Sequence, residues 1–167
     1  MRGACISGAA EQAANEATHG LFAGTVNAAG GNTGKCQKGV AKRAGKLLVE
    51  RWKVFRSCKK DNFSSISNDT DLVTTCLGPP QPDPKGKIGK RATKLSDEIT
   101  KCVDKGVSPV GPAFPGECTG AADGAIATCI CQLVSCEFCT AINVADEIVP
   151  PLDCDLFDDG AANASCP

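Results

Sequence analysis

The chain is expected to be mostly α: a disulfide-stapled antiparallel helical hairpin, a third helical segment, and a cysteine-bounded acidic C-terminal loop. Three observations predict this. Apolar residues recur at three- and four-residue spacing in separate stretches. Twelve cysteines are spread along 167 residues. The apolar residues are mostly small, with six Phe, one Trp, one Met and no Tyr. Such side chains bury little area each, and cross-links, typically about 2–4 kcal/mol apiece, supply the missing stability.

Residues 1–34 are rich in Ala, Gly, Asn and Thr. Ile6, Ala10, Ala13, Ala17 and Leu21 fall at helical spacing, so a weak helix is expected before the break AAGGNTG at 28–34. This segment reads as an assembly or docking arm. Residues 35–60 form the strongest element: Val40, Ala44, Leu47, Leu48, Trp52 and Phe55 share one face, and Lys and Arg cover the rest. Residues 61–84 read as a polar loop ending in GPPQPDP, which no helix can cross. A second helix is expected at about 85–105 on the stripe Ile88, Ala92, Leu95, Ile99 and Cys102. Residues 35–105 then make the hairpin. GVSPVGPAFPGE at 106–117 is a crossover. A third helical stretch runs over 121–147, with Ile126, Cys129, Ile130, Leu133, Cys136, Ile142 and Val144 apolar and a break near Ser135. It stops before Pro150 and Pro151, and LDCDLFDDGAANASCP closes the chain as a loop. Residues 106–167 are expected to pack with the hairpin as one domain.

The net charge of −1 conceals a separation of sign. Residues 35–60 hold ten Lys or Arg and one acid, Glu50, whereas residues 106–167 hold nine acids and no basic residue. Opposite halves of this kind pack within a chain or between copies of it. The basic face could also meet nucleic acid, but its cations surround the helix and only one Trp accompanies them, which argues against it.

The even cysteine count over the whole chain fits an oxidising, extracellular setting. No run approaches eighteen apolar residues, so no membrane span is expected. No apolar stretch follows Arg2, and the chain is read as one numbered without its leader. Antiparallel geometry predicts Cys36–Cys102 at one end of the hairpin and Cys58–Cys76 at the other, with Cys154–Cys166 closing the tail. Cys5, Cys118, Cys129, Cys131, Cys136 and Cys139 are expected to form disulfides without assigned partners. CICQLVSCEFC at 129–139 superficially offers a metal-binding quartet, and Cys136 with Cys139 a redox dithiol. On one helix, however, Cys131 points about 160° away from Cys129, so four thiolates cannot converge on one ion. Separate staples are the expectation.

Asp153, Asp155, Asp158 and Asp159, with Asn163, are candidate calcium ligands. Phe157 interrupts the alternating oxygen pattern of an EF-hand, which favours a solvated acidic loop. The single histidine, His19, lies in the Ala-rich arm without a nucleophile and carboxylate at hand. No phosphate-binding glycine loop is present. The expectation is therefore a non-enzyme without a cofactor. Asn62, Asn68 and Asn163 begin triplets of the N-glycosylation pattern.

CQKGVAKRAGKLLVERWKVFRSCKK, FPGEC at 114–118 and CDLFDDGAANASC at 154–166 resemble cysteine-rich exported proteins of myxobacteria and related deltaproteobacteria. The resemblance covers about residues 35–167 and implies export, disulfides and an extracellular role, without naming a reaction. The functional expectation is an extracellular structural or interaction subunit, self-assembling head to tail into a surface filament. The alternatives are a binding module for a polyanion or calcium, and a redox or metal-handling protein using residues 129–139.

Overall fold

The computed structural model describes residues 20, 30–78, 80–161, 164 and 166. The weak helix expected in the N-terminal arm lies outside these residues, as do Cys5, His19 and Asn163. Among the described residues the protein is mostly helical, and no strand occurs.

Helix α1 spans Gly31–Asp61. Its apolar face is the one the sequence marks, with Val40, Ala44, Leu47, Leu48, Trp52 and Phe55 all buried. It starts inside the segment expected to be a break. Tertiary contact accounts for this: the Asn32 amide donates to the Lys105 carbonyl at 2.8 Å, joining the first turn to the far end of the partner helix.

The loop after α1 is more ordered than its composition suggests. Asn68 accepts from the Asp71 amide at 2.9 Å and caps the short helix α2, Asp69–Leu72. A π-helical turn, Val73–Leu77, then carries Cys76 and Leu77 into the core. The prolines delay the next helix until Asp83 caps it, its carboxylate accepting from the Lys87 amide at 2.8 Å and the Gly89 amide at 3.1 Å. Helix α3 spans Lys87–Asp104 and buries Ile88, Leu95, Ile99 and Cys102 against α1. Arg43–Glu98 at 3.2 Å, Arg91–Glu50 at 3.1 Å and Cys36–Cys102 fix the antiparallel register.

The crossover folds inward. A 3-10 turn, Gly111–Ala113, places Val110, Ala113 and Phe114 in the core, and the Gln37 side chain donates to the Ala113 carbonyl at 2.6 Å. At Gly111 a Cβ would stand 2.6 Å from the Ala121 carbonyl oxygen and 2.7 Å from that of Thr119, so only glycine permits this approach.

Helix α4, Ile126–Ala145, packs across the hairpin without the break expected at Ser135. The Ser135 hydroxyl donates to the Cys131 carbonyl at 2.8 Å and accepts from Arg51 at 2.6 Å, so its polarity is satisfied inside a continuous helix. Val144, expected on the apolar side, is 73% exposed. Phe138 is instead the buried centre: its ring lies 5.4 Å from Trp52, 6.3 Å from Phe55 and 5.9 Å from Phe157. By length and composition α4 could also cross a membrane, with a mean hydropathy of 1.4. Polar residues such as Gln132 and Ser135 interrupt its apolar run without lowering that mean far. In the fold 56% of the window is buried, as suits a core helix.

The C-terminal loop contains the fifth α-helix among the described residues. Helix α5, Cys154–Asp159, is capped by Asp153, whose carboxylate accepts from the Asp155 and Leu156 amides. Phe157 anchors it on α4.

Candidate functional site

Among the described residues, five disulfides tie this fold together. Cys36 bonds Cys102 and Cys58 bonds Cys76, the pairing that the hairpin geometry predicts. Cys118 bonds Cys129, Cys136 bonds Cys166, and Cys139 bonds Cys154. The expected Cys154–Cys166 bond is therefore replaced by two bonds to α4. Burying Phe157 against Phe138 lays α5 along α4, and Cys154 at its start and Cys166, seven residues past its end, meet Cys139 and Cys136 rather than each other. Cys131 has no disulfide partner among the described residues.

This connectivity changes what the cluster at 129–139 can do. Cys136 and Cys139 belong to different disulfides, so they do not form a dithiol pair. Cys136, Asp158 and Cys166 place three ligand-type atoms within 4.8 Å of one another. The two sulfurs are bonded to each other, and neither is a thiolate while that bond stands.

The acidic residues serve local structure. Asp153 caps α5. Asp155 accepts from the Ala164 amide at 2.8 Å and the Cys166 amide at 3.2 Å. Asp159 accepts from the Ala161 amide at 2.8 Å and from Gln132 at 3.0 Å. Asp158 faces the Cys136 sulfur. The oxygens of Asp153, Asp155 and Asp159 are directed at different donors rather than at one centre. Of the glycosylation triplets, Asn62 donates its amide to the Cys58 carbonyl at 2.9 Å, and Asn68 is the α2 cap.

The cations are arranged differently. Arg43 and Lys101 both reach Glu98, and Arg91 reaches Glu50, so these pairs lie within the hairpin. Lys59–Asp146 is the ion pair that joins the hairpin to the acidic third among the described residues. Lys42 and Lys46 lie one turn apart on α1, and the register set by Arg43–Glu98 and Arg91–Glu50 places Lys94 across from Lys46. All three are exposed, and none has an ion-pair partner among the described residues. Their mutual field acts on Lys46. Lys42 first, then some loss of hydration, then Arg43, Arg91 and Lys94 hold its ammonium below the ordinary lysine value.

A cleft of about 270 Å³ opens beside the Cys58–Cys76 bond, bordered by Lys53, Ser57, Asp61, Asn62, Asp83 and Lys85. It mixes both charge signs. Deeper in the fold, Arg51 donates to Ser135 at 2.6 Å and to Gln81 at 3.2 Å, while its Nε is buried without a partner. Burial lowers the Arg51 pKa, and Cys131 and Asp83 oppose that shift. Burial likewise pushes the Cys131 thiol up, against the pull of Arg51. Sequence reading missed this polar network, because an arginine inside a basic helix carries no mark that distinguishes it from its solvated neighbours.

No protein-family model, curated protein or solved structure matches the chain.

Proposed function

We propose that the protein is an extracellular structural or interaction subunit that associates head to tail with further copies, through the basic hairpin face of one and the acidic terminal third of the next. The observation that carries this reading is the lysine trio Lys42, Lys46 and Lys94, exposed and without ion pairs among the described residues. The acidic third supplies no cation of its own. Opposed surfaces on one subunit form heterologous contacts, which close into rings or extend into filaments. The disulfides suit a subunit that must stay rigid in an oxidising exterior.

The experiment is sedimentation of the purified oxidised protein over a range of salt concentrations, with electron microscopy of the same samples. Oligomers at low salt that dissociate at high salt support the reading. A monomer at high protein concentration and low salt ends it. The lysine cluster favours one second reading, a polyanion-binding module. In that case the monomer binds an acidic polysaccharide with a steep salt dependence.

A further inference from the structure

The cleft beside the Cys58–Cys76 bond shares no residue with the lysine face assigned above to contact between copies. Helix α1 lines one side of it, and the segment entering α3 lines the other. Both sides are fixed in place. Arg91–Glu50 holds α1 to α3, and Cys58–Cys76 ties the end of α1 to the π-helical turn. Asp83 holds the start of α3 through the Lys87 and Gly89 amides. A cleft built this way is formed before any ligand arrives, which lowers the ordering cost of binding.

Three acids and three lysines border the cleft, but only the acids are engaged. Glu50 accepts from Arg91 at 3.1 Å, Asp83 accepts from its two amides, and Asp61 accepts from the Ser57 hydroxyl at 3.3 Å. Lys53, Lys85 and Lys87 are exposed and make no ion pair among the described residues. The register set by Arg43–Glu98 and Arg91–Glu50 puts Lys87 across from Val54, next to Lys53. Between these cations the lining is apolar, from Val54, Cys58, Pro82 and Pro84. The volume of about 270 Å³ is just under the ~300 Å³ at which small-molecule sites begin, so it suits one ring or a short chain.

We propose that this cleft binds a small organic anion, whose apolar ring or short chain lies on Val54, Pro82 and Pro84 while Lys53, Lys85 and Lys87 hold its acidic head. The ammonium groups offer charge-assisted hydrogen bonds to a carboxylate or a phosphate ester. The apolar lining takes the body of the ligand out of water. A neutral molecule of the same shape leaves the lysines unmatched, and a cation is repelled by them.

The test is a titration of the oxidised, isotope-labelled full chain, followed by NMR in salt that keeps it monomeric. Benzoate and phenyl phosphate are the probes, and the tighter of the two identifies the acidic head. The amide resonances of Val54, Cys58 and Lys87 should shift together and saturate. Benzyl alcohol and benzylamine carry a neutral and a cationic group on the same ring, and should bind about tenfold more weakly or worse. Lys53→Gln/Lys87→Gln should weaken binding of the acids about tenfold. Lys38→Gln/Lys105→Gln removes the same charge near the Cys36–Cys102 end of the hairpin and should leave binding unchanged. The proposal is overturned if neither acid moves these resonances, or if benzyl alcohol binds as tightly as benzoate. It is overturned as well if inorganic phosphate matches phenyl phosphate, or if the distant pair of substitutions weakens binding as much as the near pair. The comparison of acid with alcohol uses the unsubstituted protein, so a poorly folding variant does not blunt the test.

Discussion

Glu50 accepts from the Arg91 guanidinium at 3.1 Å while its own side chain is only 8% exposed. The sole acid of residues 35–60 thus lies on the inner side of the hairpin, where it locks α1 to α3. Removing Arg91 would leave that carboxylate buried and unpaired. Arg91→Ala should cost about 2–3 kcal/mol, since the group left behind loses its compensation. The double variant Arg91→Ala/Glu50→Ala should recover part of the loss. A denaturant-based double-mutant cycle measures the coupling, and a near-zero coupling would show that the pair does not set the register.

The disulfides should differ in worth. Cys36–Cys102 closes a span of 66 residues and Cys118–Cys129 one of 11. By loop-closure entropy they contribute about 4 and about 3 kcal/mol respectively. Replacing both members of each pair with Ala should therefore lower the melting temperature more for Cys36/Cys102. The reverse order would mean that native packing around Cys118, which is fully buried, outweighs the chain-entropy effect.

Asp123 holds the crossover in place. Its carboxylate accepts from the Val110 amide at 2.5 Å and from the Ser108 hydroxyl at 2.7 Å. The Val110 bond first, then that of Ser108, depresses its pKa. A depressed carboxylate stabilises the fold above its unfolded value of about 3.9, and the contribution disappears as pH falls through the lower folded value. Protection of the Val110 amide from hydrogen exchange should drop in that acid range. In Asp123→Asn it should be weak at every pH. Unchanged protection in the variant would show that the loop is held by its buried Val110 and Phe114 alone.

The hairpin was legible because its signals are local. Apolar spacing marks the buried face of α1, GPPQPDP marks a stop, and antiparallel order dictates which cysteines become neighbours. The tail was less legible because its partner is remote. Nothing near Cys154 or Cys166 reveals that Phe157 will stack beside Phe138, yet that contact decides both bonds. Ser135 misled for a similar reason. A small polar residue reads as a break until Arg51, far away in sequence, supplies its donor. The same holds for Lys42, Lys46 and Lys94: composition shows a basic helix, but only the register shows which cations stand without an acid among the described residues.

The acidic tail should not respond to calcium. Calcium requires six to eight converging oxygens, whereas Asp153, Asp155 and Asp159 are already engaged by amides at separate points. Millimolar calcium should leave the melting temperature unchanged. A rise that Asp155→Asn/Asp158→Asn abolishes would show that the tail rearranges to bind the ion, since ligand binding to the folded state alone raises its stability.

Charge reversal tests assembly most sharply. Lys42, Lys46 and Lys94 are exposed and make no ion pair among the described residues, so the fold does not depend on them. The lowered pKa of Lys46 shows instead that they repel one another. Changing all three to Glu should leave helicity intact. A surface that meets an acidic neighbour would then become one that rejects it, because like charges across an interface oppose association. The variant should remain monomeric at the low salt where the unsubstituted protein assembles. Mixing supplies the second arm of the test: a variant with an intact acidic third should still cap the basic end of an unsubstituted chain, and so should shorten its assemblies at substoichiometric ratios. Deleting residues 1–30 asks a separate question. The buried residues of the described core all follow Gly30, so the truncated chain should fold. If the arm contributes to the contact between copies, the truncated chain also stays monomeric. Sedimentation of the three proteins at matched salt distinguishes these cases. Undiminished assembly of the triple variant would remove the lysine face from the interface.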